Sequence, residues 1–318
     1  MNKEVCVYLG PQLAKYNFGE SHPFGPKRHD AFSEEFYRVG LNQQVTISHP
    51  HIGTQEQVEL FHTSTYVESV KTKSNIGKGY LDAGDTPAIL NIYDSALYVV
   101  GTVLDAADNI MTDGKCKHAF IPIAGLHHAR RNCAAGFCVF NDCAILIEYL
   151  RKRYGLIRIA YVDIDAHHGD GVYYGFESDP NVYIVDFHED ASYLYPGTGT
   201  DEETGTGNAR GSKLNINLPP GATDEDFLKH WPLALDFLEK AKPEFFILQC
   251  GADSIAGDPI THLAYSAKTH YRATKDLLML AKRYCKGHLI ACGGGGYNLD
   301  NIANTWTEVV RALVEPVE

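Results

Sequence analysis

The sequence predicts an α/β fold, a parallel sheet with helices on both faces, in a single domain over 1–318. Three observations predict it. Short apolar runs rich in β-branched and aromatic residues, bounded by Gly, Pro or Asp, read as buried strands. Amphipathic helical segments precede or follow most of them, and strand–helix alternation implies parallel pairing. No Pro/Gly/Ser-rich linker and no internal repeat divides the chain.

In chain order, "VCVYLG" is a first strand, followed by helical stretches near 29–39, 54–72 and 88–111. "HAFIPIAG" (118–125) is the next strand. "NDCAILIEYLRKRYG" is a helix with Asn141 as N-cap, basic residues in its last turn and Gly155 as its stop. Strands follow at "RIAYVDID" (158–165) and "NVYIVDFH" (181–188), and 196–213 is a long, polar, Gly-rich loop. A helix opens at Thr223 with Asp226 in capping-box spacing, and Pro232 should bend it. "EFFILQCGAD" (244–253) is a strand, the next helix runs from Ser266 to Gly287, and "HLIACGGGGY" (288–297) is the last strand.

Hydrophobic residues make up 44% and charged residues 21% of 318 positions, the composition of a folded globular chain. A formal net charge of −12 disfavours direct nucleic-acid binding and suits a basic or neutral substrate. No apolar run reaches the length of a membrane span, and "MNKEVCVYLG" lacks the features of a signal peptide. The eight cysteines sit mostly in apolar segments and read as reduced thiols of a cytoplasmic protein. Cys133, Cys138 and Cys143 recur every five residues, a spacing that matches no common zinc pattern.

Ligands of open parallel sheets bind beyond the carboxyl ends of the strands. There the sequence puts His127 and His128; Asp163, Asp165, His167, His168 and Asp170; Asp186 and His188; Asp253; and Tyr297. One polar strand end is routine; five are not a solvated surface. Residues i and i+2 of an extended strand point the same way, so Asp163, Asp165 and His167 share a side if the strand stays extended. Asp165 and His167 can reach one cation, with Asp253 as third ligand from another strand. Two carboxylates and one imidazole leave an open position, as catalytic sites do. Zinc fits this set, and Fe(II), Co(II) or Mn(II) would also bind. Asp163 is then free to orient a histidine or hold a hard cation such as K⁺. His127 and His128 can manage protons, each oriented by a carboxylate, with Asp163 and Asp170 to spare. Four glycines let the Tyr297 phenol approach the metal as an oxyanion donor. No GxGxxG, GxSxG, HExxH or catalytic-Cys signature is present.

These motifs, "GLHHA", "GFCVFND", "DIDAHHGDGV", "YPGTG", "QCGADSIAGD" and "GGGGY", resemble in order and spacing the zinc-dependent histone deacetylases, nearest the class I group and the bacterial acetoin-utilisation-type deacetylases. The resemblance runs from "SHPFGPKR" near residue 21 to residues 305–306. It implies the three-layer arginase/deacetylase fold with an eight-stranded, mostly parallel sheet. It implies zinc (Fe²⁺ as an alternative in the cell) on Asp165, His167 and Asp253, with His128 as general base. His127 is its partner, the pair is polarised by Asp170 and Asp163, and Tyr297 bonds the substrate carbonyl. Gly136, Phe137, Tyr195 and Ile260 would line an acyl-lysine channel, and Asp85 would grip the substrate backbone at its rim. Asp163, Asp165 and the His167 carbonyl match a structural K⁺ site, to which Asp186 contributes where many relatives have Ser. The implied reaction removes acetyl or short acyl groups from lysine in proteins or peptides.

Three rivals compete. An acetylpolyamine or other small N-acetyl amine hydrolase shares the fold, but "AGDPITHL" carries Ile260 and no acidic gatekeeper. A binuclear manganese ureohydrolase would need further carboxylates. A non-catalytic acyl-ligand sensor would not need the complete catalytic set.

Overall fold

The computed structural model describes residues 4–112 and 116–316. Eight strands form one sheet: β1 Val5–Tyr8, β2 Thr46–Ser48, β3 His118–Ile121, β4 Ile159–Asp163, β5 Val182–Glu189, β6 Lys213–Leu218, β7 Phe245–Gln249 and β8 Leu289–Cys292. Their order is β2-β1-β3-β8-β7-β4-β5-β6, and every pairing is parallel. The helices are α1 Pro11–Ala14, α2 Arg28–Arg38, α3 Gln55–Val58, α4 Ser64–Ile76, α5 Ile92–Met111, α6 Asp142–Tyr154, α7 Asp170–Phe176, α8 Asp224–Ala241, α9 Ala267–Cys285 and α10 Leu299–Val314.

Every residue of β1, β3, β4, β7 and β8 is buried. Successive strand side chains point to opposite faces, so both faces of the sheet centre are covered. The covering helices pack as two groups, α3 to α7 around α5 and α6, and α2 with α8, α9 and α10. Parallel pairing turns the carboxyl ends of β3, β4, β5, β7 and β8 to one edge. Among the described residues no helix is long and apolar enough to cross a membrane.

Local chemistry sets the helix ends as anticipated. Asn141 accepts the Ala144 N–H at 2.9 Å, Gly155 takes φ +67°, the Asp226 carboxylate accepts the Thr223 N–H at 2.8 Å, and Ser266 caps α9. Several expectations need correction. The strands at 118–125, 244–253 and 288–297 are shorter, because their Gly- and Asp-rich ends leave the sheet as loops. The stretch 54–72 is two helices, α3 and α4, separated by residues 59–63. Helix α8 runs on through Pro232. That proline lies on the exposed face, where the carbonyl it leaves without a partner is open to water. The loop 196–213 ends one residue early, at β6, and β2, β6, α7 and α10 were not anticipated. Strands β2 and β6 are the sheet edges; β2 is three half-buried residues, and Lys213, Asn215 and Asn217 break the apolar run of β6.

Candidate active site

The turn after β4 builds the first half of the site. Asp163 is the last strand residue, so Asp165 and His167 do not share a side by strand alternation. They converge because carboxylates fold the turn: Asp163 Oδ1 accepts the Asp165 N–H at 3.1 Å and Asp165 Oδ1 accepts the His167 N–H at 3.0 Å. This is the Asx-type turn open to aspartate. The other carboxylate oxygen of Asp163, Oδ2, faces His127.

His167 Nδ1 lies 3.0 Å from Asp165 Oδ1 and 3.1 Å from Asp253 Oδ2. Asp253 follows β7 and is anchored through Oδ1 by the Ala166 N–H at 3.0 Å. Asp165 Oδ2 accepts from Gln249 Nε2 and the Gly295 N–H, both at 2.8 Å. One ligand atom from each of Asp165, His167 and Asp253 lies within 4.8 Å of the others, and all three residues are buried. Glycine is required beside them: a Cβ on Gly251 would lie 2.0 Å from Asp165 Oδ2, and one on Gly295 2.0 Å from Asp253 Oδ2. Burial opposes charge on His167, but the hydrogen bonds to Asp165 and Asp253 outweigh it and push its pKa up to about 10. Burial, then the Asp165 charge, pushes Asp253 up to about 7. The two carboxylates thus favour the charged form of the imidazole between them.

The loop after β3 delivers the histidine pair. Asp142, at the start of α6, accepts the N–H groups of Gly125 and Leu126 at 2.8 and 2.7 Å. Asn141 Nδ2 donates to the His127 and Ala129 carbonyls at 3.0 and 2.9 Å. His127 Nδ1 donates to Asp163 Oδ2 at 2.7 Å and His128 Nδ1 to Asp170 Oδ1 at 2.8 Å, directions set because an ionised carboxylate only accepts. Asp170 also takes Arg130 at 2.8 Å. Burial, then the neighbouring His127, lowers His128 to about 4.

Tyr297 enters from the loop after β8. Its N–H donates to Asp258 Oδ2 at 2.8 Å. Burial, then Asp253 and Asp165, holds its phenol well above the ordinary value, so it stays a donor. Arg28, buried, reaches from α2 to donate to the Gly296 and Gly294 carbonyls at 2.8 and 2.6 Å, with its guanidinium 3.8 Å from the Phe24 ring centre. Sequence reading gave no role to Arg28 or Gln249, and gave Asn141 only that of a helix N-cap. All three lie inside quoted motifs, Arg28 as the last residue of "SHPFGPKR", but nothing local to Arg28 signals its reach to residue 294.

Asp85, His128, Gly136, Phe137, His167, Leu194, Tyr195, Ile260 and Tyr297 line one cavity of about 200 Å³. All five residues expected in the channel or at its rim thus line one cavity with His128, His167 and Tyr297. Phe137 holds φ +67°, uncommon for a side-chain-bearing residue. Its N–H donates to Thr86 Oγ1 at 3.0 Å and its carbonyl accepts from Tyr16 at 2.8 Å, which fixes the ring edge-on to Tyr297 at 5.9 Å. Tyr195 lies 5.1 Å from the His128 ring. A larger groove, about 540 Å³ between α2 and α10, is lined by Lys27, Glu34, Arg38 and Asp300 and holds none of these groups.

Asp163 and Asp186 are register partners on β4 and β5; His188 Nδ1 donates to Asp186 at 2.7 Å. Cys133, Cys138 and Cys143 do not converge as a ligand set. Cys143 instead meets Asp142 and Cys292, but both Asp142 oxygens are already taken by Gly125 and Leu126.

Comparison with known proteins agrees with this geometry. Residues 22–313 match the histone deacetylase domain. The chain is 35% identical over 320 residues to the acetoin utilization protein AcuC of Bacillus subtilis, covering 98% of this chain and 80% of that protein. It is 32% identical to AcuC of Staphylococcus xylosus, covering 99% and 83%. The crystal structure of the HDA15 HD domain superposes with a TM-score of 0.90 at 27% identity, covering 99% of this chain and 89% of that one. With its all-parallel eight-stranded sheet and this match over nearly its whole length, the chain belongs to the histone deacetylase family.

Proposed function

We propose that the protein hydrolyses the side-chain amide of acetyl-lysine in a protein or peptide, giving acetate and the free amine. The observation that carries this reading is the convergence of Asp165, His167 and Asp253 beside a carboxylate-oriented histidine pair, with His127, His128, Asp165, His167 and Tyr297 lining one small cavity. Those three residues would hold zinc or ferrous iron. The donor set fits: two carboxylates and an imidazole converge in a buried, glycine-cradled cluster. When bound, the ion supplies Lewis acidity towards the substrate carbonyl and acidifies the attacking water.

The chain's own groups do the rest. Phe137 and Tyr195 flank the acyl-lysine stem, and Asp85 meets the substrate backbone at the rim. His128, neutral because burial lowers its pKa, accepts the proton of the attacking water at Nε2 while Nδ1–H stays on Asp170. The proton is held at the Nε2 edge that His128 shares with His127 and passes to the leaving amine nitrogen. The Tyr297 hydroxyl donates to the carbonyl oxygen as negative charge develops there. A potassium ion near Asp163 and Asp186 belongs to the same proposal: without a cation there, burial, then the Asp186 charge, pushes Asp163 well above the ordinary carboxylate range, and with one it stays ionised and accepts from His127.

A small N-acetyl amine is the second reading, favoured by the acidic mouth, where burial and Asp82 raise Asp85 to about 6. Assay of the metal-loaded protein with acetyl-lysine peptide, acetylspermidine and arginine separates the cases. Acetate release from the peptide is expected. Turnover of acetylspermidine alone would move the substrate to small amines, and no turnover of any at full metal content would end the hydrolase reading.

A further inference from the structure

Lys213 opens β6 and is 2% exposed, although lysine is almost never fully buried without a partner. Its Nζ donates to the Asp179 carbonyl at 2.9 Å, the Val182 carbonyl at 2.7 Å and Ser212 Oγ at 2.8 Å. An ammonium has three donors and no acceptor; three oxygens meet three N–H groups. A neutral amine would turn its lone pair on one of them. No carboxylate oxygen is among these partners. The Asp179 carboxylate is engaged by Arg151 at 2.6 Å and the Asn181 N–H at 2.9 Å. The charge is therefore met by two main-chain dipoles and a hydroxyl. Burial lowers the pKa to about 8, which leaves the ammonium the main form at neutral pH.

Neutral hard oxygens, main-chain carbonyls above all, are what replaces the hydration shell of an alkali cation, and potassium and ammonium are close in radius. We infer that the Lys213 ammonium is a tethered monovalent cation filling an oxygen cage at the junction of α7, β5 and β6, and that the cage without this side chain takes K⁺ or an ammonium ion from solution. The position gives the device its use. Asp179 lies in the turn after α7, Val182 starts β5, and Ser212 ends the long loop after residue 195. Helix α7 begins with Asp170, which holds His128. Removing the charge leaves three oxygens converging with nothing between them. A covalently tethered ion cannot dissociate and loses no translational freedom when the cage forms.

The test uses Lys213→Ala, which empties the cage, and Lys213→Met, which fills it with an uncharged stem. Melting temperature and turnover are measured in lithium, potassium and methylammonium chloride at equal ionic strength, and the wild-type response is subtracted. Lys213→Ala is expected to melt several degrees lower than wild type and to recover, saturably, in potassium or methylammonium but not in lithium. Lys213→Met is expected to show no such recovery. Crystals of Lys213→Ala soaked in thallium(I) should show an anomalous peak among the Asp179 and Val182 carbonyls and Ser212 Oγ. A salt response equal to wild type, or no peak there, overturns the inference. Should Lys213→Ala accumulate unfolded, its refolding yield in potassium against lithium reads the same question, and equal yields overturn it.

Discussion

The Nε2 atoms of His127 and His128 face each other at 3.1 Å, while each ring's Nδ1 sits on its own carboxylate. A proton taken up at His128 Nε2 would therefore have the His127 ring nitrogen within hydrogen-bond reach. The proposed proton path runs along this edge, with Asp163 and Asp170 behind the two rings.

Asp170→Asn should therefore cost more than its size suggests. An amide can donate to Nδ1 and so turn the His128 tautomer. The variant should fold and hold metal while kcat falls on the order of 10²-fold or more. Unchanged kcat would remove Asp170 from the scheme. The measurement is steady-state turnover of an acetyl-lysine peptide beside metal content.

Tyr297→Phe removes one hydroxyl and leaves the ring packed on Phe137. Metal content should stay at the wild-type level and turnover should fall on the order of 10²–10³-fold. A variant as active as wild type would mean the phenol does not meet the carbonyl oxygen.

Chelation should abolish turnover, and Zn²⁺ or Fe²⁺ should restore it. The stripped protein should also melt lower, because two buried carboxylates and an imidazole lose their common partner. Full activity in a demonstrably metal-free preparation would defeat the metal reading.

Gly136→Ala should close the channel. Gly136 has φ +51°, and a Cβ there would lie 2.4 Å from His128 Cδ2 and 3.1 Å from Tyr195 Cε1. Turnover should drop by about 10² or more with metal retained. A kcat/KM near wild type would show that the His128 and Tyr195 rings can yield.

Acid should destabilise the fold before it protonates ordinary carboxylates. Burial holds His62 at about 3 and His118 at about 4, below the ~6.5 of an unfolded chain. His62 Nε2 accepts the Asn141 N–H at 2.9 Å, a bond that protonation would break. Between pH ~6.5 and 4 the unfolded chain binds protons the folded one refuses, so this stability is complete above ~6.5 and falls with pH below it. Each ring can cost up to about 1.4 kcal/mol per pH unit. Urea midpoints at pH 7.5, 6 and 5 read the slope, which His118→Gln should reduce. A midpoint constant over that range would contradict the assignment.

Much of the site was legible in the chain itself. Strand-end carboxylates and histidines, the HisHis pair and the four glycines before Tyr297 are local patterns, and parallel topology sends the ends of β3, β4, β7 and β8 to one edge. Helix ends at Asn141, Thr223 and Ser266 were legible because caps bond within three residues. The edge strands β2 and β6 were not, because their apolar signal is weak.

What the sequence determined alone was the α/β class; it also singled out Asp165, His167 and Asp253 as a candidate ligand set, whose ligand atoms lie within 4.8 Å of one another, and the residues proposed to move protons. Only the tertiary structure decided that Asp163 Oδ2 faces His127, that Arg28 pins the loop at 294–296, that Gln249 braces Asp165, and that Lys213 fills a cage of carbonyls. Each of the last three depends on contacts between distant segments. Residue periodicity encodes which face a side chain takes, not which remote carbonyl or carboxylate it meets when the strands assemble in the order β3-β8-β7-β4-β5-β6.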